Sequence, residues 1–360
     1  MYNISHEVRT PLNGILGFSN LITQPDITDD EKVEYYSLIK TSSDRLLSTI
    51  NNYMDISLIA SGNMEVNRKS IDLHPMLHKL SDQFQPLCAI KDLEYHLEIP
   101  GKTEPITIYS DEDLFRKALS HLLDNAFKFT VKGEITFGYA IKPGGLEFFV
   151  KDTGSGISKE AQTRIFESFM QEELLHTRGY EGSGLGLSIA QGFVRLLGGE
   201  MRVESEKGAG STFFFTLPRE ETDTGIITKP ERKQKAGLVE NQVILIAEDE
   251  ASNLRFIQTV LSKTAVTVLS ANNGKEAVDA CRAHPEISLV LMDLKMPVMD
   301  GMEATRVIKT FRTNLPIIAI TAYAMSGDEK KARDAGCDDY LSKPVSREAL
   351  LEKLKQFGVG

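Results

Sequence analysis

Residues 6–11, which read HEVRTP, carry side chains of the types needed to accept and transfer a phosphoryl group. A neutral imidazole is a nucleophile, and a carboxylate beside it can take up the ring proton during transfer. We therefore predict that His6 is the acceptor and that Glu7 is its base. Thr10 lies four residues later on the same helical face, where its hydroxyl can orient water or the phosphoryl group. Taken alone, a His-Glu pair is also typical of an ordinary polar helix surface.

A second group of residues consists of three short motifs with the composition of a nucleotide site. They read HLLDNAFKFT from His121, DTGSGI from Asp152 and GSGLGL from Gly182. Glycines allow backbone N–H groups at the start of a helix to approach phosphates. Asn125 can complete a magnesium shell, and Asp152 can accept a hydrogen bond from an adenine amino group. One glycine-rich run is weak evidence, but three motifs in this order are more specific.

A third group lies after strand-like runs in the last third of the chain. Glu248 and Asp249 follow the first run, Asp293 the third, Thr321 the fourth and Lys343 the fifth. Three carboxylates at one sheet edge repel one another unless a divalent cation lies among them, so they predict a magnesium site. The aspartate after the third run can then attack a phosphoryl donor, while the threonine and lysine receive the added charge. The alternative is a set of acidic loops without function.

The N-terminal residues predict a helical hairpin. Apolar side chains recur at helical spacing until Pro25, and Thr28 with Glu31 forms a capping box for a second helix that we expect to end near Gly62. Pro11 should kink the first helix beside the histidine. One hairpin cannot bury both of its apolar seams, so we predict a dimeric four-helix bundle. A helical linker that packs on its own neighbours is the alternative.

The remaining elements indicate two α/β domains. Short strands and helices alternate up to residue 218, which predicts a two-layer α/β domain. The charged segment that follows is typical of a linker. Beyond it, the continuous apolar runs VILIA, VTVL, LVLM and PIIAI predict a doubly wound parallel sheet with its site at the carboxyl ends of the strands. The expected division is 1–66, 67–218, 219–240 as linker and 241–360.

Composition excludes several classes of protein. A formal net charge of −10 over 360 residues argues against a nucleic-acid partner. The three cysteines, Cys88, Cys281 and Cys337, lack the spacing of a zinc site or a disulfide framework. No run approaches the roughly 18 apolar residues of a membrane helix. Because Met1 opens directly into a helical pattern, we expect a cytoplasmic fragment of a longer, membrane-anchored protein.

The order of the motifs resembles that of the hybrid sensor histidine kinases. SHEVRTPLNGILGF is similar to the H box that carries the phosphorylated histidine, and LVLMDLKMPVMDG resembles a response-regulator receiver domain. The motifs between them resemble the N box, the two glycine boxes and, through Phe166 and Phe169, the F box of the kinase ATP-binding domain. The resemblance covers all of the chain except its linker. One position departs from the family pattern, since His121 stands where these kinases often have an asparagine.

This resemblance implies a fold and a set of site residues. The fold is an all-α hairpin, a Bergerat-type ATP-binding domain and a flavodoxin-like (βα)5 receiver. Residues 170–184 would form a lid over the nucleotide, and Lys128 would meet phosphate. A cis bond between Lys343 and Pro344 is expected, and Tyr340 would be the aromatic whose rotation reports phosphorylation. The residues expected to bind ATP are His121, Asn125, Lys128, Asp152, Gly154, Gly156, Gly182, Gly184, Leu185 and Gly186. The residues expected to bind magnesium are Asn125, Glu248, Asp249 and Asp293.

The expected activity is a phosphorelay within one chain. ATP would phosphorylate His6, and the group would pass to Asp293 and then to a histidine phosphotransfer protein or a response regulator. A phosphatase-biased protein is an alternative, because Thr10 is linked to phosphatase activity in the family. A scaffold that binds nucleotide and metal without transfer is another. We reject a gyrase-like or chaperone ATPase. Such a protein would need a domain that couples ATP hydrolysis to mechanical work, and this chain has an H box and a receiver instead.

Overall fold

The computed structural model describes residues 2–100, 106–170, 184–218, 242–321 and 331–359. The chain forms two units, Met1–Thr224 and Gly225–Gly360. The hairpin and the first α/β region lie together in the first unit, so the boundary expected at residue 66 falls inside it. Among the described helices, none is both long and apolar enough to cross a membrane.

The N-terminal hairpin consists of α1 (Tyr2–Ile22) and α2 (Asp29–Ser61). The predicted capping box is confirmed: the Glu31 amide donates to Thr28 Oγ1 at 3.3 Å, and the Thr28 amide donates to Glu31 Oε2 at 2.9 Å. The predicted stop is also confirmed, because Gly62 takes the left-handed conformation with φ of 69°. The two helices approach closely at Gly14, where a β-carbon would lie 2.6 Å from Ser42 Oγ.

The rest of the first unit is an α/β structure with two sheets. Its helices are α3 (Leu73–Ile90), α4 (Glu112–Phe129), α5 (Lys159–Gln162) and α6 (Gly186–Leu196). Its strands are β1 (Lys69–Asp72), β2 (Glu94–Glu98), β3 (Thr107–Ser110), β4 (Glu134–Lys142), β5 (Gly145–Asp152), β6 (Met201–Glu206) and β7 (Gly210–Pro218). Strands β1 and β3 pair with each other, while the main sheet has the order β2-β4-β5-β7-β6.

Helices α4 and α6 pack side by side on the main sheet. Their shared core centres on three phenylalanines: the Phe115 ring centroid lies 4.8 Å from that of Phe148, and Phe148 lies 5.0 Å from Phe215. Edge-to-face and offset pairs at these separations stabilise a core beyond the effect of buried area. This packing fixes the orientation of α4 and α6, which carry residues of two predicted nucleotide-site motifs.

The hairpin packs directly on α4 and α6 through α2. Ile59 fills the space beside Gly192 of α6, where a β-carbon would lie 2.9 Å from the isoleucine side chain. Asp55, only 5% exposed at its side chain, pairs with Lys117 of α4 at 3.3 Å. Burial raises the pKa of Asp55 although the lysine opposes that change. Because a buried charge without its partner costs about 3–5 kcal/mol, this pair specifies how α2 meets α4.

The second unit is a parallel α/β structure. Its helices are α7 (Ala251–Leu261), α8 (Gly274–Ala283), α9 (Gly301–Phe311) and α10 (Arg347–Gln356), and its strands are β8 (Gln242–Ala247), β9 (Val266–Ala271), β10 (Ile287–Asp293), β11 (Ile317–Thr321) and β12 (Asp339–Ser342). The strand order β12-β11-β10-β8-β9 is that of the flavodoxin-like fold. Core side chains cover both faces of the sheet. The predicted doubly wound fold is confirmed.

Candidate functional site

His6 lies on the solvent-exposed surface of α1. The Thr10 hydroxyl donates to the His6 carbonyl at 3.0 Å, so it contacts the backbone of the turn below the imidazole. Glu7 is half-buried, and its Oε2 accepts a hydrogen bond from the Tyr53 hydroxyl at 3.1 Å. The structure shows no hydrogen bond between Glu7 and the His6 ring. Pro11 lies inside α1, which runs on to Ile22 as one helix.

The side chains of α4 and the first turn of α6 form one face of the predicted nucleotide site. His121 and Asn125 are one turn apart on α4, and a β-carbon on Gly186 would lie 3.5 Å from His121 Nδ1 and 4.0 Å from Asn125 Nδ2. A β-carbon at position 186 would therefore be in van der Waals contact with both side chains, which shows how closely the first turn of α6 approaches α4. Helix α6 begins at Gly186, and the side chain of the preceding Leu185 makes no capping hydrogen bond. Backbone amides at a helix N-terminus are suited to bind an anion.

His121 is held in a setting that disfavours its charged form. Its ring stacks on Phe193 with centroids 6.4 Å apart. Burial, and secondarily the positive charge of Lys117, lowers the pKa of His121 to about 4. The imidazole is therefore neutral at physiological pH. One of its nitrogens can donate a hydrogen bond and the other can accept one.

Asp152 ends strand β5 and is 6% exposed. Its Oδ1 accepts a hydrogen bond from the Gly154 amide at 2.8 Å. Burial raises the pKa of Asp152, while the amides of Gly154 and Ser211 oppose that change. Gly156 has φ of 63°, and a β-carbon there would lie 1.9 Å from the Glu206 carbonyl oxygen. This turn therefore requires glycine.

The second glycine motif is described in part. Gly184 has φ of 66° and accepts a hydrogen bond from the Phe169 amide at 3.1 Å. Gly182 and most of the expected lid lie outside the described residues. Phe166 packs against Phe213 with centroids 6.5 Å apart. On α4, burial and the nearby Arg45 charge lower the pKa of Lys128, and Glu7 opposes that change.

The residues expected to bind magnesium meet at the carboxyl edge of the second sheet. One carboxylate oxygen each from Glu248, Asp249 and Asp293 lies within 4.8 Å of the others. The Glu248 and Asp293 side chains are buried, while Asp249 is exposed. Glu248 Oε2 lies 2.8 Å from the Lys343 ammonium nitrogen, although this contact does not have hydrogen-bond geometry. Three converging carboxylates fit a hard divalent cation such as Mg²⁺.

Lys343 neutralises part of this acidic cluster. Its ammonium nitrogen lies 2.6 Å from Asp293 Oδ2 and 2.9 Å from Glu248 Oε1. Burial lowers the pKa of Lys343, but the hydrogen bonds to the two carboxylates outweigh it and raise that pKa. Thr321 lines the same cavity. The expected cis bond between Lys343 and Pro344 is present.

Three residues with contacts to these sites were not predicted from the sequence. Tyr53 binds Glu7, Lys117 acts on His121, and Asn253 donates to Glu248 Oε1 at 3.0 Å. Only Lys117 carried a local signal, since it precedes His121 by one helical turn. The partners of Tyr53 and Asp55 are 46 and 62 residues away in the chain, respectively, so helical periodicity could not identify them. Half-buried Tyr340 packs against the core of the second unit.

Three family models match successive parts of the chain. The His Kinase A phospho-acceptor domain matches residues 1–62. The histidine kinase-, DNA gyrase B- and HSP90-like ATPase family matches residues 110–221, and the response regulator receiver domain matches residues 244–355. Their order agrees with the order of the three groups of candidate residues.

Curated relatives match almost the whole chain. The autoinducer 2 sensor kinase/phosphatase LuxQ of Vibrio vulnificus is 32% identical over 98% of this chain and 42% of its own length. The sensory/regulatory protein RpfC of Xanthomonas campestris pv. campestris is 29% identical over 99% of this chain and 53% of its own length. This chain thus spans about half the length of these relatives or less.

Among solved structures, full-length ShkA in complex with AMPPNP is similar to this chain. The two are 24% identical, the alignment covers 98% of each, and the TM-score is 0.49.

The depressed pKa of His121 predicts acid sensitivity of the first unit. The folded pKa of about 4 lies below the ordinary value of 6.5, so the contribution to stability is complete above pH 6.5 and is lost as pH falls toward 4. Between pH 7 and pH 4, the free energy of unfolding should fall by about 3 kcal/mol more in wild type than in His121→Gln. Urea unfolding followed by tyrosine fluorescence measures the difference. His78→Gln, at an exposed position of α3, is the control, and parallel pH curves for wild type and His121→Gln would contradict the prediction.

Proposed function

Because the chain belongs to the hybrid sensor histidine kinases, we propose that it transfers the γ-phosphoryl group of ATP to His6 and then to Asp293. One observation carries the proposal: exposed His6, with Glu7 beside it, lies in the same unit as the His121, Asn125 and Gly186 site. Its ATP-binding domain belongs to the family that also includes gyrase B- and HSP90-like ATPases. Asp152 and the first turn of α6 would hold the nucleotide, with Asn125 on its magnesium.

In the first step, one nitrogen of the neutral His6 ring attacks the γ-phosphorus. The bond from that phosphorus to the bridging oxygen breaks, and ADP leaves with the electron pair. Glu7 takes the proton from the other ring nitrogen. Burial lowers the pKa of Lys128, and the negative charge of Glu7 opposes that change. The lysine would therefore supply positive charge near Glu7. Positioning and charge neutralisation provide most of the rate enhancement in such transfers.

In the second step, a carboxylate oxygen of Asp293 attacks the phosphorus of phosphohistidine. The P–N bond breaks, and the imidazole takes back from Glu7 the ring proton that it gave up in the first step. Lys343 already contacts Asp293 and can move its hydrogen bonds to the incoming phosphoryl oxygens. The Lys295 amide donates to Asp293 Oδ1 at 3.0 Å, which fixes the carboxylate plane. Magnesium, when held by Glu248, Asp249 and Asp293, supplies charge neutralisation to this site.

The relay predicts a distinct pattern of label from radioactive ATP. Wild type should be labelled, and Asp293→Asn should retain an acid-labile, base-stable label because the group stops on His6. His6→Gln should take up no label, since the only donor to the receiver is lost. Autoradiography after acid and base treatment measures the outcome. Label that persists at wild-type level in His6→Gln would exclude the proposed order of transfer.

The acidic cluster of the second unit predicts magnesium binding without nucleotide. Asp249→Asn should weaken Mg²⁺ binding about tenfold or more, because it removes one of the three charged ligands that converge there. Isothermal titration calorimetry of the nucleotide-free chain measures the affinity. Asp279→Asn is the control, since Asp279 lies on α8 in a surface pair with Arg282. Equal affinities in wild type and Asp249→Asn would rule out this ligand set.

We also propose that the hairpin forms a homodimer. Apolar side chains of α1 and α2 remain exposed, among them Leu12, Leu16, Val33 and Ile50. A second hairpin would cover them in a four-helix bundle. The match of residues 1–62 to the His Kinase A phospho-acceptor domain supports this proposal.

The dimer proposal predicts that Leu16→Glu produces monomers. Leu16 is 55% exposed in the single chain, and a carboxylate there would be buried without a partner in the bundle. Sedimentation equilibrium should give twice the chain mass for wild type and a single chain mass for the variant. Ile90→Glu, which places the same charge on an exposed apolar side chain of α3 outside the hairpin, should remain dimeric. A monomeric wild type would refute the bundle.

Phosphatase activity is a second candidate function. Thr10 Oγ1 donates its proton to the His6 carbonyl, which leaves the oxygen lone pairs available to accept a hydrogen bond from water. LuxQ carries both kinase and phosphatase in its name. We further propose the division into 1–66, 67–218 and 241–360, with a histidine phosphotransfer protein or response regulator as the recipient of the group.

A further inference from the structure

Tyr53 is a polar side chain on the inner side of α2 whose hydroxyl reaches the H box. Its oxygen lies 3.1 Å from Glu7 Oε2, across 46 residues of sequence. The hydroxyl is the donor, because the carboxylate can only accept. Burial, and then the hydrogen bond and charge of Glu7, raises the pKa of Tyr53 to about 12. The hydroxyl therefore keeps its proton throughout the pH range in which the protein works.

The ring of the same tyrosine contacts the ATP-binding region. It stacks on Phe169 with centroids 6.4 Å apart and planes inclined by 28°. The Phe169 amide in turn donates a hydrogen bond to the Gly184 carbonyl at 3.1 Å. One side chain of α2 thus touches α1 through its hydroxyl and the nucleotide-binding motifs through its ring.

We propose that Tyr53 is a positioning residue that orients the Glu7 carboxylate for proton uptake from His6. The proposal rests on the phosphorylation of His6 put forward above. A glutamate side chain has several rotatable bonds, and a hydrogen bond to Oε2 restricts them while Oε1 stays available for the imidazole proton. As His6 gains the phosphoryl group, its ring proton moves to that second oxygen. The Tyr53 hydroxyl keeps its own proton throughout this step.

The stacking contact on Phe169 gives this arrangement a further consequence. The tyrosine ring is fixed by a residue that hydrogen-bonds to the second glycine motif, so the orientation of Glu7 depends on the position of the ATP-binding region. The carboxylate is therefore aligned only while α1, α2 and the nucleotide-binding motifs pack as they do here. The charge of Glu7 also acts on Lys128 of α4, whose pKa it raises against the effect of burial.

Kinetics of four forms of the full chain test the proposal: wild type, Tyr53→Phe, Glu7→Gln and the double variant. Tyr53→Phe keeps the ring on Phe169 and removes only the hydroxyl. We expect kcat for His6 phosphorylation to fall about tenfold, with KM for ATP unchanged, because a hydrogen bond to a charged group is lost. In the Glu7→Gln background the same change should have no further effect. Tyr36→Phe, on the exposed side of α2, should behave as wild type.

Two results would overturn the role of Tyr53. One is an equal loss of kcat in both backgrounds, and the other is a changed KM with wild-type kcat. If wild type takes up label and His6→Gln does not, such a result refutes Tyr53 alone and leaves the relay intact. A wild type without label refutes the relay instead. In that case the urea unfolding midpoints of the four forms test the hydrogen bond between Tyr53 and Glu7. If the two single substitutions shift the midpoint additively in the double variant, the hydroxyl does not bind Glu7.

Discussion

The buried ion pair between Asp55 and Lys117 fixes the geometry on which the first unit depends. It joins the hairpin to α4, and α4 carries His121 one turn and Asn125 two turns beyond the lysine. A carboxylate this deeply buried needs a counter-charge, so α2 can dock only where the lysine reaches it. The same lysine helps to keep His121 neutral. Docking of the hairpin and electrostatics of the nucleotide site are therefore physically coupled.

The second unit also contains buried carboxylates that need a counter-charge. Parallel strands bring their carboxyl ends to one edge, and three acidic side chains meet there. Lys343 pairs with two of them, Glu248 and Asp293, while Asp249 is exposed. One ammonium group cannot neutralise three carboxylates. The divalent cation that we propose for this site would complete the charge balance at the edge.

In both units a second side chain holds the carboxylate that we propose to react. Glu7 is held by the Tyr53 hydroxyl, and Asp293 is held by Lys343 and the Lys295 amide. In each case the controlling residue comes from a different element of the same unit or from the adjacent loop. Chemistry at the two positions therefore depends on the packing around them and on more than the reactive residue itself.

Much of the local structure was predictable from sequence. The capping box at Thr28, the left-handed stop at Gly62 and the buried parallel strands of the second unit follow from residue types and spacing, because these features depend on neighbours a few residues away. The order of the motifs likewise determined the family and the three regions of the chain. The fold was confirmed, while the roles of the individual site residues remain predictions.

Tertiary structure decided which side chains meet. Neither the Tyr53 contact with Glu7, nor the pairing of Asp55 with Lys117, nor the approach of Gly186 to His121 follows from periodicity. These residues are separated by 46 to 65 positions, and their distances depend on how helices cross and how deeply they pack. Local sequence specifies which face of a helix is apolar, but the partner of that face is chosen by the packing of the whole unit.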